Sequence, residues 1–131
     1  MGSYSELLRS GAVGAAGTTN YTVEVATGGA IQAALYGVFD YGSGGTSVKC
    51  YLQGSYDMGV TWVPVANITF TTADNAKLVN VVPESIASWD ADAAQTDDTS
   101  ANHIPPRLRV SMVVAGTYAA TTLSLWFHMV S

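Results

Sequence analysis

Two stretches near the end of the chain decide how it folds: Arg107-Leu108-Arg109-Val110-Ser111-Met112-Val113-Val114 and Thr122-Leu123-Ser124-Leu125-Trp126-Phe127-His128-Met129. In the first, Leu108, Val110, Met112 and Val114 take every second position. In the second, Leu123, Leu125, Phe127 and Met129 do the same, with Thr122, Ser124, Trp126 and His128 between them. A side-chain period of two sends alternate residues to opposite faces of a strand, so each stretch reads as a half-buried β-strand. Gly116-Thr117 supplies the turn between them.

The same period runs back toward the N-terminus. Tyr21, Val23 and Val25 alternate with Thr22 and Glu24. Ile31 to Tyr41 is a longer apolar strand, and Val48, Cys50 and Leu52 alternate with Lys49, Tyr51 and Gln53. Trp62 to Val65, Ile68 to Phe70 and Leu78 to Val82 continue the series. Pro64 donates no ladder hydrogen bond, so its strand is expected at an edge or at a bulge. Thr27-Gly28-Gly29, Gly42-Ser43-Gly44-Gly45 and Ala73-Asp74-Asn75 are turns. About eight strands and no long helical period predict an all-β, two-sheet sandwich of antiparallel strands over residues 18–131. Two segments fall outside that pattern. Residues 1–17 end in Gly11-Ala12-Val13-Gly14-Ala15-Ala16-Gly17 and read as a flexible N-terminal arm, able to order on a neighbouring subunit. Residues 83–106 read as one long loop, acidic in its middle.

Composition narrows the function. Charged residues are 11% of the 131 positions against 48% apolar, which excludes intrinsic disorder and points to buried interfaces. Five basic against ten acidic residues give a net charge of −5, which disfavours nucleic acid as a partner. No apolar run is long enough to cross a membrane as a helix, and the N-terminus lacks the pattern of a secretory signal. The sequons at Asn20 and Asn67 are read as chance. The single Cys50 excludes an internal disulfide and a Cys-based zinc cluster, and its apolar neighbours mark it as an inert core thiol.

Catalytic and metal patterns fail one by one. Asp90, Asp92, Asp97 and Asp98 are oxygen ligands of the right type for calcium, but Ala94 stands at a ligand position and the closing Glu is missing. His103 and His128 have no metal-binding spacing. There is no G-x-S-x-G elbow, and the glycines of residues 11–17 do not match a phosphate-binding loop. No catalytic residue, metal ligand or cofactor is expected, and the chain is not expected to be an enzyme.

The sharpest motif is Ser55-Tyr56-Asp57-Met58-Gly59-Val60-Thr61-Trp62. It resembles the Asp-box, S-x-D-x-G-x-T-W, through Ser55, Asp57, Gly59, Thr61 and Trp62. Asp57 can accept hydrogen bonds from the turn's backbone, Gly59 can adopt a left-handed conformation, and Trp62 can pack back over the turn. In sialidases this box repeats once per propeller blade, away from the catalytic centre. One copy in a short chain predicts a structural hairpin. Seven Tyr and three Trp remain to be placed. Tyr51 and Trp126 alternate onto the polar sides of their strands and are candidate contact residues, for a subunit interface or a sugar-stacking platform. Tyr4, Leu7 and Leu8 in the arm and Trp89 in the long loop complete the candidate interface.

Read together, the Glu-Leu-Leu arm, the run Gln53-Gly54-Ser55-Tyr56-Asp57-Met58-Gly59-Val60-Thr61-Trp62 and the strand Pro106-Arg107-Leu108-Arg109-Val110 through Ala115-Gly116-Thr117 resemble small structural proteins of tailed bacteriophages. Their hairpin reads Q-G-S-x-D-G-G-x-T-W, so Met58 stands here where that pattern has Gly. The chain is most similar to the jelly-roll-like cement or decoration proteins of HK97-type capsids. That resemblance implies a non-enzymatic virion protein, made in the bacterial cytoplasm and placed on the capsid outer surface. Its partners would be the major capsid protein and other copies of itself, as dimer or trimer. A tail or head-to-tail junction protein and a carbohydrate-binding module are the alternatives. One point pulls against the jelly roll: the Asp-box makes two consecutive strands neighbours, whereas most consecutive jelly-roll strands lie in opposite sheets.

Overall fold

The computed structural model describes residues 3–26, 32–81, 99–100 and 107–130. Among them are eleven strands and no helix: β1 (Ser3–Val13), β2 (Gly17–Ala26), β3 (Gln32–Asp40), β4 (Ser43–Gly44), β5 (Ser47–Ser55), β6 (Val63–Phe70), β7 (Asn75–Val81), β8 (Thr99–Ser100), β9 (Arg107–Ala115), β10 (Tyr118–Ala119) and β11 (Thr121–Val130). Eight long strands form two antiparallel sheets. The first has the order β1-β11-β3-β7, and the second β2-β9-β5-β6 with the two-residue β8 added beyond β6. A short β4·β10 ladder ties two chain crossings together at one end.

The connectivity follows from one turn. The Asp-box joins β5 to β6 as a hairpin in the second sheet. The strands flanking it, β3 and β7, pair in the first sheet. The next pair outward, β2 and β9, returns to the second, and the last, β1 and β11, closes in the first. The chain is therefore one long antiparallel hairpin whose two arms wrap together around a core. That is the jelly roll. The Asp-box is the one hairpin between neighbouring long strands that this topology contains, so the sequence motif and the fold agree.

Alternation is realised in β9 and β11 as the sequence predicts. Leu108, Val110, Met112 and Val114, and Leu123, Leu125 and Phe127, are all buried between the sheets. Leu35, Phe39, Leu52, Ile68 and Phe70 fill the space from the neighbouring strands. Burying each such side chain stabilises the fold by ~1.5–3 kcal/mol. Phe39 and Phe70 stack with centroids 5.1 Å apart, and Tyr118 meets Phe39 edge-on at 5.7 Å. Pro64 lies beside a bulge at Val65, where the register steps from Leu52–Ala66 to Gln53–Pro64. Among the described residues β8 pairs with Ala66 and Asn67, on the far side of the bulge from Pro64.

The arm expected over residues 1–17 is corrected by the structure. Ser3–Val13 is an ordered edge strand, in register with β11 from Ser3–Val130 to Val13–Thr121. The sandwich therefore begins at Ser3 and not at residue 18. The Gly/Ala content suggested weak packing, but a strand is held by its backbone. β1 gives the N–H and C=O groups on one side of β11 their partners, and these are costly to leave unpaired.

Candidate functional site

Among the described residues, three places hold the groups able to do chemistry or to make contacts: the Asp-box tip, the outer faces of the two sheets, and a cleft between β1 and β2.

At the tip, the Ser55 hydroxyl donates to Asp57 Oδ1 at 2.9 Å and accepts the Gly59 N–H at 2.8 Å. The Thr61 N–H donates to Asp57 Oδ1 at 2.8 Å, and Trp62 Nε1 donates to the Gly59 carbonyl at 3.1 Å. Hydrogen bonds from Thr61, its backbone first and then its side chain, hold the Asp57 carboxyl down at about 2. Met58 and Gly59 both take left-handed conformations, with φ of 63° and 90°. Arg107 donates to the Met58 carbonyl at 3.0 Å, and the Arg109 guanidinium lies 4.6 Å over the Trp62 ring. All five motif residues meet in one turn. Every contact the carboxylate makes here serves that turn.

The two outer faces differ in chemistry. On the first sheet, register alignment brings Leu7 beside Trp126, Trp126 beside Tyr36, and Tyr36 beside Leu78. These four side chains form an unbroken row across all four strands, and each is 40–56% exposed. The row on one side, Ser10–Ser124–Val38–Ala76, is small apart from the exposed Val38. The row on the other side is Ser5–His128–Ala34–Asn80, with the Ser5 hydroxyl bonded to His128 Nδ1. None of the three rows contains Asp, Glu, Lys or Arg. A contiguous apolar surface with polar margins marks a contact site. The outer face of the second sheet is instead polar. It carries Lys49, Arg107 and Arg109, three of the five basic residues, and Arg109 donates to Gln53 at 2.7 Å.

The sequence-predicted contact residues therefore separate. Trp126 and Leu7 sit side by side in the apolar row. Tyr51 lies on the opposite face, half-buried between Ser111 and Asn67 in register, so it cannot form a platform with Trp126. Leu8 does not join the exposed row. The register shift between Leu7 and Arg9 turns Leu8 against the core. Tyr4 pairs through its backbone with Met129. Trp89, His103 and the four loop aspartates lie outside the described residues. Tyr36, Val38 and Leu78 were missed, although exposed apolar residues inside alternating strands were the available signal.

The same bulge re-aims Arg9. Without it Arg9 would stand on the outer face beyond Leu7; with it Arg9 opposes the inward Leu125. Its guanidinium donates to the Ala12 carbonyl at 2.9 Å and contacts Met112 Sδ at 3.2 Å, while Nε is buried with no hydrogen-bond partner. It lines a cleft of about 510 Å³ between β1 and β2, together with Val13, Thr18, Tyr21 and Val114. The cleft's lining has no carboxylate, histidine or thiol. Burial pushes the nearby Cys50 thiol up to about 12, with the Arg9 charge acting in the opposite direction. Among the described residues no three of His, Cys, Asp and Glu come together as a metal-holding group. No family model matches this sequence, and no curated protein or solved structure matches it.

Proposed function

We propose that this chain is a non-enzymatic structural protein of a tailed-phage virion, a cement or decoration protein. It binds the outer surface of an HK97-type capsid at capsomer junctions, through contacts with the major capsid protein and with copies of itself. The observation that carries this reading is the row Leu7–Trp126–Tyr36–Leu78, flanked on both sides by rows that contain no Asp, Glu, Lys or Arg. A surface of that kind suits lasting contact with protein. The phage-like hairpin and the Arg107-Leu108-Arg109-Val110 strand, the tip and a central strand of a jelly roll, add to it. The acidic balance keeps the protein off packaged DNA.

The test is co-sedimentation of the purified protein with expanded capsids that lack it, followed by imaging of the pellet. Saturable binding at regular surface positions is the expected result, and heating the decorated shells then measures reinforcement. Intact, folded protein that stays in the supernatant would overturn the cement reading. Binding to tails or to the neck ring would move the protein to the head-to-tail junction. Binding to an immobilised glycan, lost in Trp126→Ala, would make the Trp126–Tyr36 pair a sugar platform.

A further inference from the structure

We infer that the apolar face of the first sheet pairs with the same face of a second copy, about a two-fold axis that lies perpendicular to the strands. The inference deepens the assembly reading above by naming the partner of that face.

The argument rests on the order of large and small residues. The large row is Leu7–Trp126–Tyr36–Leu78, and the adjacent row is Ser10–Ser124–Val38–Ala76. The bulge at Leu8 keeps Ser10 on this face, so the two rows stay aligned across all four strands. Place a second copy face to face, with the axis between the sheets and midway between these rows. Each large residue then meets the smaller one of the other copy: Leu7 meets Ser10, Trp126 meets Ser124, Tyr36 meets Val38, and Leu78 meets Ala76. By symmetry every contact occurs twice, which is the self-complementarity an isologous interface requires. Alternating large and small residues across facing layers is also what lets two sheets interdigitate at ~10 Å. An axis parallel to the strands would set the large row upon itself and hold the sheets apart.

Area agrees. Four strands about 4.8 Å apart and about 30 Å long present roughly 600 Å² per copy, so a pair covers about 1,200 Å², the lower bound of stable interfaces. Charge agrees at the centre, because the two rows beside the axis hold no Asp, Glu, Lys or Arg to desolvate, and Asp40, the next outward residue of β3, lies toward the margin of the face. The pairing leaves the polar face with Lys49, Arg107 and Arg109 pointing outward, free for the shell.

Sedimentation equilibrium tests this with the whole chain. The wild type is expected at twice the 13.7 kDa chain mass. Ser124→Glu and Ala76→Glu each place two carboxylates in the symmetric interface, against apolar side chains. Each is expected to weaken pairing by about a hundredfold or more. Both positions lie on the outer face, so far-UV circular dichroism should match the wild type. Lys49→Glu, on the other face, should leave the dimer intact. A monomeric wild type, a trimer, or a dimer that survives both substitutions would overturn the inference. Capsid co-sedimentation separates this outcome from the virion reading. A dimer that ignores capsids sinks the cement role alone, and capsid binding by a wild-type monomer sinks the dimer alone.

Discussion

Adding a single methyl group at Gly37 tests how tightly the two sheets pack. Gly→Ala within a strand ordinarily gains ~0.5–1 kcal/mol, because the unfolded chain loses freedom. At Gly37 the sign should reverse. A Cβ there would stand 2.9 Å from Phe70 Cε2 and Cζ and 3.1 Å from Ile68 Cδ1. Favourable carbon contacts lie at ~3.5–4.0 Å, so something must move by more than half an ångström. Phe70 is 2% exposed and already stacked on Phe39 with an interplanar angle of 14°. Phe39 in turn has Tyr118 against it. Overpacking of this kind costs ~1–3 kcal/mol, which leaves Gly37→Ala less stable by about 1–2 kcal/mol. Urea unfolding should show a lower midpoint at unchanged slope. Gly14→Ala is the control: nothing lies within 4 Å of its Cβ, so it should be neutral or stabilising by ~0.5 kcal/mol. In the double variant Gly37→Ala/Phe70→Leu the two losses should not add. A Gly37→Ala protein as stable as the wild type, or strict additivity with Phe70→Leu, would refute the packing argument.

Other perturbations follow from the tip and the core. Met58→Gly should stabilise the fold by ~0.5 kcal/mol, read as a higher urea midpoint at unchanged slope. Met58 is 78% exposed and sits at φ 63°, a conformation that costs an L-residue ~1–2 kcal/mol, partly offset by the freedom Gly adds to the unfolded chain. Asp57→Asn should destabilise at neutral pH and make no difference in strong acid. The folded carboxyl titrates at about 2, below its ordinary 3.8, so its contribution is full above pH 4 and is lost as pH falls toward 2; equal wild-type and Asp57→Asn midpoints at pH 7 would contradict the hydrogen bonds described. The Cys50 thiol, raised to about 12 by burial, should resist alkylation in the native protein and react only on unfolding. Its linkage runs the other way: stability is full below pH 9 and declines as pH rises toward 12. Rapid labelling of native protein at pH 8 would show that the core opens locally.

Much of the architecture was legible because alternation reports directly on burial. β9 and β11 bury the residues that the period of two selects. β6 was harder, since Val65, Ala66, Asn67 and Ile68 are all buried in succession. The bulge at Val65 and the cover of β8 over Ala66–Asn67 break the alternation there. β1 was misread for another reason. Its apolar Leu7 and Leu8 stand side by side at the register shift and break the alternation, while its pairing with β11 is a backbone property. The exposed apolar row was legible only in part. Leu7 and Trp126 stood out singly, but their alignment with Tyr36 and Leu78 depends on register between strands far apart in sequence. The direction of Arg9 depends on one extra residue at Leu8, which no local pattern announces.

The wrapped hairpin also sets an order in time. Strand partners grow steadily more distant along the chain, from Gly54–Val63 beside the Asp-box to Ser3–Val130 at the far end. Each pairing brings the next two strands together, and each closes a loop whose entropic cost would be larger had the inner pair not formed first. Folding is therefore expected to zip outward from Ser55–Trp62 and to finish with β1 against β11. Pulse-labelled hydrogen exchange would reveal this as early protection in β5 and β6 and late protection in β1; simultaneous protection would contradict it. Leu7 and Trp126 come together only in that final step. The sticky row is thus incomplete in every earlier intermediate, and a half-folded chain does not yet offer its neighbours the surface that a finished one presents.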